Sequence, residues 1–450
     1  RSTVKRGRGR SRTTTAADAP AAVGQRIELT LERLTHDGRG IGRWRGRTTF
    51  VEGGLPGEQV TARVIRARSK LIEARLESLQ QASPDRQLPR CPHIELCGGC
   101  SLQHMPHHQQ LEIKQQALAQ QLQHFAQVEP QQWASALSGS NYGYRQRTRI
   151  ALRWDRQRRE LDVGFRQRAS NELVNVTQCP VLVPQLEAAL KALPALLRGL
   201  RSVETLGHVE LIGAEHPALV LRHLQPLPAE DQQQLLAFAE QHGMGCWLQG
   251  DDAAAVPLGS AAEPAYKLAD QQLTLGFAPG DFTQVNPQIN QAMVNQALDW
   301  LAIEPGEAVL DLFCGVGNFA LALARAGASV VGIEGSEEMV ARAQENARKN
   351  RLDAVHFLPA DLSKPLEMSA APQRYTAALL DPPRDGADQL VADLAAMGVA
   401  RILYISCNPA TLARDAGILA GKGYTLVRAG IMDMFPQTAH VEAMALFRRQ

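Results

Sequence analysis

Residues 308–334 constrain the fold more than any other stretch of the chain. Ala308-Val-Leu-Asp311-Leu-Phe313 reads as a buried strand. Two glycines, Gly315 and Gly317, then allow a tight turn, and a helix follows that ends by Gly327. A second apolar strand, Ala328 to Ile333, delivers Glu334 at its C-terminal end. Strand, glycine turn, helix, strand and terminal acid make a βαβ crevice for a nucleoside, with the acid set to hold ribose hydroxyls. A third apolar strand, Thr376 to Leu380, ends in Asp381-Pro382-Pro383, where the prolines stiffen the turn.

Gly315-x-Gly317-x-x-Ala320 also fits a dinucleotide fingerprint, so the glycines alone do not name the ligand. Asp311 ahead of them and Asp381 after the later strand tilt the reading to S-adenosylmethionine (SAM). Further on, Arg401 to Ile405 reads as another buried strand, Asn408 as a helix N-cap and Pro409 as the first helical residue. Cys407 then sits at the C-terminal edge of a sheet, facing a helix N-terminus. Backbone amides and the helix dipole there favour thiolate, so its pKa is expected below the ordinary value of about 8.5. Most cysteines in apolar strands are inert packing, and only the surrounding residues decide otherwise.

The N-terminal part is organised differently. Between residues 24 and 80, Ile27, Leu29 and Leu31 alternate, as do Val60, Ala62 and Val64, with Asp-Gly and Gly-Gly turns between. Short alternating strands of this kind predict a small barrel. Its eleven Lys/Arg against seven acids favour a nucleic-acid surface over a bland spacer. Residues 1–15 carry six basic groups and no acids, the pattern of a disordered arm, although charge runs are often only solvated surface. Residues 145–168 hold nine arginines against three acids, with Tyr144, Trp154 and Phe165 nearby to stack bases. Residues 282–450 carry fourteen basic and eighteen acidic groups, so the N-terminal half is expected to grip RNA and the C-terminal half to catalyse. The chain's 450 residues permit two or three domains, and no apolar run approaches the length of a membrane span. The Gln-rich stretch 109–132 reads as a polar-faced helix, and residues 180–280 carry no interpretable motif.

Seven cysteines leave one unpaired, and no signal peptide is expected, so disulfides are the least favoured use of them. Cys91-x5-Cys97-x2-Cys100, with Cys179-Pro180 downstream, has the residues of a metal site. Thiolates suit zinc and iron–sulfur clusters alike, and spacing does not separate the two. Cys246 and Cys314 read as packing.

Phe282-Thr-Gln284-Val-Asn286, Asp311-x-Phe313-Cys-Gly315-x-Gly317, Asp381-Pro-Pro-Arg384, Ser406-Cys407-Asn408-Pro409 and His440-Val-Glu442 occur in that order. Together they resemble the RNA uracil-C5 methyltransferases, from about residue 24 to the C-terminus. Cys91-Pro92-His93, Cys97-Gly98-Gly99-Cys100 and Cys179 are similar to the 4Fe-4S cluster ligands of the 23S rRNA uracil-C5 subgroup. Leu34 to Gly42 and Phe50 to Glu58 look like a TRAM domain, an OB-like RNA-binding barrel.

The resemblance implies a multidomain α/β and β protein. It divides into a basic tail (1–23), a TRAM barrel (24–80), a central α+β domain with an iron–sulfur site (81–280) and a Rossmann-like class I SAM methyltransferase domain (281–450). It implies methylation of a uridine in 23S rRNA to 5-methyluridine. Cys407 is then the nucleophile that adds to uracil C6, and Glu442 the base that removes the C5 proton. Gln284 is expected at the methionine end of SAM, with Phe282 positioning it. Phe313 and Asn318 would line the glycine turn, and Glu334 would take the ribose hydroxyls. Asp361 would approach the adenine, where relatives carry Asn, and Asp381 would lie between the cofactor and uracil pockets. Cys91, Cys97, Cys100 and Cys179 would hold a 4Fe-4S cluster of structural or RNA-orienting use. The target uridine would leave its stack to reach Cys407. The expected setting is a cytoplasmic monomer with no membrane partner. A tRNA uracil-C5 methyltransferase, an amino-group methyltransferase and a non-catalytic RNA chaperone are the alternatives.

Overall fold

The computed structural model describes residues 19–367 and 374–450. The basic run 1–15 lies outside the described residues. The chain divides into two compact units, one reaching Leu88 and including His104–Pro106, the other comprising Pro89–Gln103 and His107–Gln450.

The first unit is a closed barrel. Its strands are β1 (Arg26–Leu34), β2 (Gly40–Trp44), β3 (Arg47–Glu52), β4 (Gln59–Ala67) and β5 (Leu71–Gln81), in the order β1-β2-β3-β5-β4, with β4 closing on β1. Only β3 and β5 run parallel. Alternation does what the sequence demands: Ile27, Leu29, Leu31, Val60, Ala62 and Val64 all point into one small core. Gly54 lies so close to the Leu31 side chain that any Cβ there would collide with it. Glu58 is fully buried, and its carboxylate accepts from the Leu55 and Ser83 amides and from the Arg86 guanidinium, which satisfies it.

In the second unit, helix α1 (His107–Gln121) and the short strand β6 (Gln132–Trp133) precede a seven-stranded sheet. That sheet is built from β7 (Arg147–Asp155), β8 (Glu160–Arg166), β9 (Leu173–Asn175), β10 (Leu206–Ile212), β11 (Ala218–His223), β12 (Gly245–Gln249) and β13 (Val256–Leu258), in the order β13-β12-β11-β10-β7-β8-β9. Helices α2 (Pro184–Arg198) and α3 (Ala229–Gln241) cover one face with a leucine-rich core. A hairpin, β14 (Ala265–Leu268) and β15 (Leu273–Gly276), leads into the C-terminal sheet and shares its core.

The C-terminal sheet holds the crevice that the sequence predicts. After α4 (Pro287–Leu301) come β16 (Ala308–Leu312), α5 (Ala320–Arg325), β17 (Ser329–Glu334), α6 (Glu337–Lys349), β18 (Val355–Pro359), β19 (Ala377–Leu380), α7 (Asp388–Ala396), β20 (Arg401–Ser406), α8 (Pro409–Gly421), β21 (Tyr424–Met432) and β22 (Glu442–Arg449). The order is β18-β17-β16-β19-β20-β22-β21-β6, parallel through β20 and then antiparallel to β22. The strands from β16 to β20 are almost wholly apolar, as strands covered on both faces must be. Residues 107–137, expected in the central domain, serve this sheet instead. Ala117, Leu118 and Leu122 pack in its core, and β6 adds an edge strand beside β21. Among the described residues, no helix is long and apolar enough to cross a membrane.

Candidate active site

The crevice opens where β16 and β19 part company with their crossover helices. Asp311 is fully buried in β16, and neither carboxylate oxygen completes a hydrogen bond. Burial, then the charge of Asp381, push its pKa well above the carboxylate range, and the Ala320 amide offsets only part of this. Phe313 follows in the left-handed region at φ +62°, with Gly315 and Gly317 also at positive φ. The turn therefore bends sharply back over the end of the sheet. Glu334 caps it: one oxygen accepts from the Gly315 amide at 3.3 Å and the other from the Ser336 amide at 2.8 Å. Asn318 forms a reciprocal amide pair with Asn290 and also accepts from the Tyr266 hydroxyl, so its role within the protein is to brace the turn. Gln284 lines a small cavity with Tyr266, Thr283 and Asn290. Phe282 stands 69% exposed beside it. Asp361 is exposed just beyond β18, and bonds from Ser363 hold its pKa low.

Cys407 lies between β20 and α8 as the sequence suggests. Asn408 caps the helix by accepting from the Ala410 amide at 3.1 Å, and Pro409 begins it. The register places its counterpart. Ser406 pairs with Ala443 across the antiparallel β20–β22 ladder, so the next residues outward, Cys407 and Glu442, stand opposite each other. A pocket of about 360 Å³ opens above them, walled by Arg384, Cys407, Thr438 and His440 on one side and by Gly98 to Ser101 on the other.

The electrostatics differ from expectation. The thiol of Cys407 is pushed up, not down, because burial and the nearby Glu442 and Asp381 carboxylates outweigh Arg384 and the residue's own backbone amide. Glu442 is pushed up to about 8 by burial and then by Asp381, against the opposing charges of Lys114 and Arg384. Asp381 keeps part of its surface open to the crevice, yet desolvation still raises it to about 7. Burial lowers His440, with Lys114, Arg384 and Arg145 acting the same way. Two residues of the quoted motifs show their surroundings only in the fold. Arg384 lies in a quoted motif but shows its place only through the pocket, and the isolation of Asp311 appears only in the fold.

The cysteine loop is anchored to the central sheet. Cys97 bridges to Gln167, and the Gly98 amide donates to the Arg166 carbonyl at 2.9 Å. The Arg168 guanidinium donates to the Ile94 and Cys100 carbonyls. Backbone amides of His93 and Gly99 point at the Cys91 and Cys97 sulfurs, both at 3.4 Å. Burial, then the neighbouring Cys100, Cys91 and Cys97, push Cys179 up to about 12, so all four thiols share one neighbourhood. Among the described residues, no three His, Cys, Asp or Glu side chains close around a single ion. Converging thiols with amide donors on their sulfurs do fit a thiophilic group that offers several separate coordination points.

The arginine segment is divided in its duties. Arg147 binds Glu210 and the Asp281 carbonyl, Arg158 binds Asp155 and Asp162, and Arg168 holds the cysteine loop. Arg149 and Arg153 remain 65% and 53% exposed.

A parallel sheet with a glycine turn after one strand, an acid at the end of the next and a buried orphan carboxylate in the crevice defines a SAM-dependent methyltransferase. A family model described as tRNA (Uracil-5-)-methyltransferase matches residues 106–450, and a TRAM domain model matches residues 20–76. The chain belongs to the RNA uracil-C5 methyltransferase family. It is 55% identical, over 94% of each chain, to the 23S rRNA (uracil(1939)-C(5))-methyltransferase RlmD of Pseudomonas aeruginosa. It is 54% identical, over the same shares, to the protein of that name from Pseudomonas putida. In fold it is similar to the Pyrococcus abyssi tRNA (uracil-54, C5)-methyltransferase solved with S-adenosyl-L-homocysteine. That likeness has a TM-score of 0.71 at 23% identity, over 94% of this chain and 100% of that one.

Proposed function

We propose that this enzyme methylates C5 of a uridine in 23S rRNA through a covalent bond between Cys407 and uracil C6. The observation that carries the reading is the β20–β22 register, which sets a carboxyl opposite a thiol that itself lines a pocket of about 360 Å³. Uracil C5 is a weak nucleophile. Addition of the Cys407 thiolate to C6 places electron density on C5 as an enolate, turning one hard step into two easier ones. SAM supplies an electrophilic methyl group on a sulfonium and leaves as the neutral thioether. C5 forms its new bond to that methyl as the sulfonium–methyl bond breaks. Glu442 then takes the C5 proton, the C5–H electrons re-form the C5–C6 double bond, and the thiolate leaves C6.

The orphan carboxylate of Asp311 fits a cationic guest, and Glu334, bonded to the Gly315 amide of the glycine turn, would take the ribose hydroxyls. Gln284, Phe313, Asn318, Asp361 and Asp381 complete the proposed cofactor contacts. Burial raises both Cys407 and Glu442, and a sulfonium arriving beside Asp381 draws both towards their ionised, reactive forms. Cys91, Cys97, Cys100 and Cys179 would hold the 4Fe-4S cluster, whose use is to fix the loop that walls the base pocket. Entry into that pocket requires the uridine to leave its stack, which costs least in a loop. A monomer acting in the cytoplasm on ribosomal RNA completes the proposal.

The test is methyl transfer from labelled SAM to 23S rRNA fragments and to tRNA, followed by nucleoside analysis. 5-Methyluridine in the 23S fragment alone, lost in Cys407→Ala, is the expected result. A methylated amino group, or activity that survives Cys407→Ala, contradicts the reading.

A further inference from the structure

Residues 433–441 link β21 to β22 as a hairpin loop, yet Asp433, Met434, Gln437 and Thr438 are buried. A buried loop has to find partners for its backbone outside itself. Here successive carbonyls are taken by different segments. Met434 accepts from the Asn286 side chain at 3.2 Å, and Phe435 from the Lys114 ammonium at 3.3 Å. Pro436 accepts from the Tyr144 hydroxyl at 2.9 Å. Gln437 accepts from the amides of Ser101 and Leu102 at 2.9 and 3.0 Å, directly after Cys100. The cofactor motif, α1 and the cysteine loop therefore meet on one short strap.

Gln437 is its centre. Its φ of +73° lies in the left-handed region, which strains a non-glycine residue and persists only where surroundings over-determine it. Those surroundings are present. The Gln437 amide donates to Gln110 Oε1 and its side-chain oxygen accepts from Gln110 Nε2, both at 3.0 Å. Its side-chain nitrogen donates to the Asn141 carbonyl at 3.3 Å. Asp433, at the start of the strap, is pinned by Lys114 at 2.9 Å and His107 at 2.6 Å. Glu442 is the first residue of β22 beyond it.

We propose that Gln437 is a positioning residue for proton removal: its side chain ties the strap to Gln110 on α1 and to the Asn141 carbonyl, and so fixes where Glu442 meets C5. The inference rests on the covalent mechanism above. Cys407 is held separately, by β20 and the cap of α8. Loosening the strap therefore slows the step that needs Glu442 and spares the step that needs the thiol.

Gln437→Gly is the informative variant, because glycine adopts the same φ without strain while the side-chain ties are lost. Gln110→Ala removes the bonds to the Gln437 amide and side-chain oxygen from the helix side, leaves the bond to Asn141, and decides the matter if the first variant does not fold. With ordinary uridine RNA and SAM, kcat should fall about tenfold or more and KM for both substrates should fall with it, so that kcat/KM stays within about twofold. A methylated protein–RNA adduct should accumulate on a denaturing gel, as it should in Glu442→Gln. Wild-type turnover in both variants, or a loss without adduct while Glu442→Gln accumulates it, overturns the role of Gln437 and leaves the mechanism standing. No adduct in Glu442→Gln, and none in the wild type with 5-fluorouridine RNA, overturns the mechanism and the inference with it.

Discussion

Asp311, Asp381 and Glu442 are all raised by burial, so the resting crevice holds protons that a bound cation would expel. Asp381, at about 7, is half ionised near neutrality and more so above it, and its ionised form binds a sulfonium better. SAM affinity, measured calorimetrically, should therefore rise with pH through about 7, and the rise should vanish in Asp381→Asn. The same shift has a sign for stability. A carboxyl whose folded pKa exceeds its unfolded value binds more protons when folded, so stability falls as pH climbs from about 4 to about 7. Asp381→Asn is thus expected to melt higher than wild type at pH 8, with the gain disappearing in acid. A lower Tm at pH 8 would show that Asp381 stabilises the fold as an anion. The strand-end positions of Asp381 and Cys407 were legible because Pro-Pro and Asn-Pro mark them, whereas Glu442 was pointed to only by the family resemblance. Their protonation was not, since Glu442 and Asp381 approach the thiol only across the folded sheet.

The elements divide along the same line. Local signals sufficed for β16, β17, β20 and α8, where apolar runs, glycines and a cap lie within a few residues of one another. Helix α1 is the opposite case. Its apolar stripe is broken by Gln110 and Lys114, which are buried because their partners, Gln437 and Asp433, lie more than 300 residues away. A window on the sequence shows only polar residues on a helix there. Despite the burial that works against it, the hydrogen bond from His107 and the charge of Lys114 keep Asp433 ionised. Removing one partner strands a buried charge, so Lys114→Ala should lose about 3–5 kcal/mol of unfolding free energy in urea. Lys114→Met combined with Asp433→Leu should recover part of that loss. An unchanged unfolding midpoint in the single variant would mean that His107 alone suffices for Asp433.

Across the whole molecule, the barrel and the parallel sheet were readable from alternation and from glycine turns, and both belong to families the chain matches. The attachment of residues 107–137 to the C-terminal sheet was not readable, because β6 and α1 depend on pairing with β21 and α8. The arginines also proved mixed in purpose, and only the exposed ones, such as Arg149 and Arg153, are open to RNA. Affinity for single-stranded 23S fragments should fall with salt on a log–log slope of roughly −0.7 for each phosphate contacted, and a flat response would contradict an arginine-based grip. The central claim, attack of Cys407 on C6, has a more direct test. RNA carrying 5-fluorouridine has no C5 proton for Glu442 to remove, so the methylated adduct has no route to elimination. A SAM-dependent covalent complex on a denaturing gel, absent in Cys407→Ala, is the predicted result. RNA binding with SAM present and no covalent complex would contradict the account.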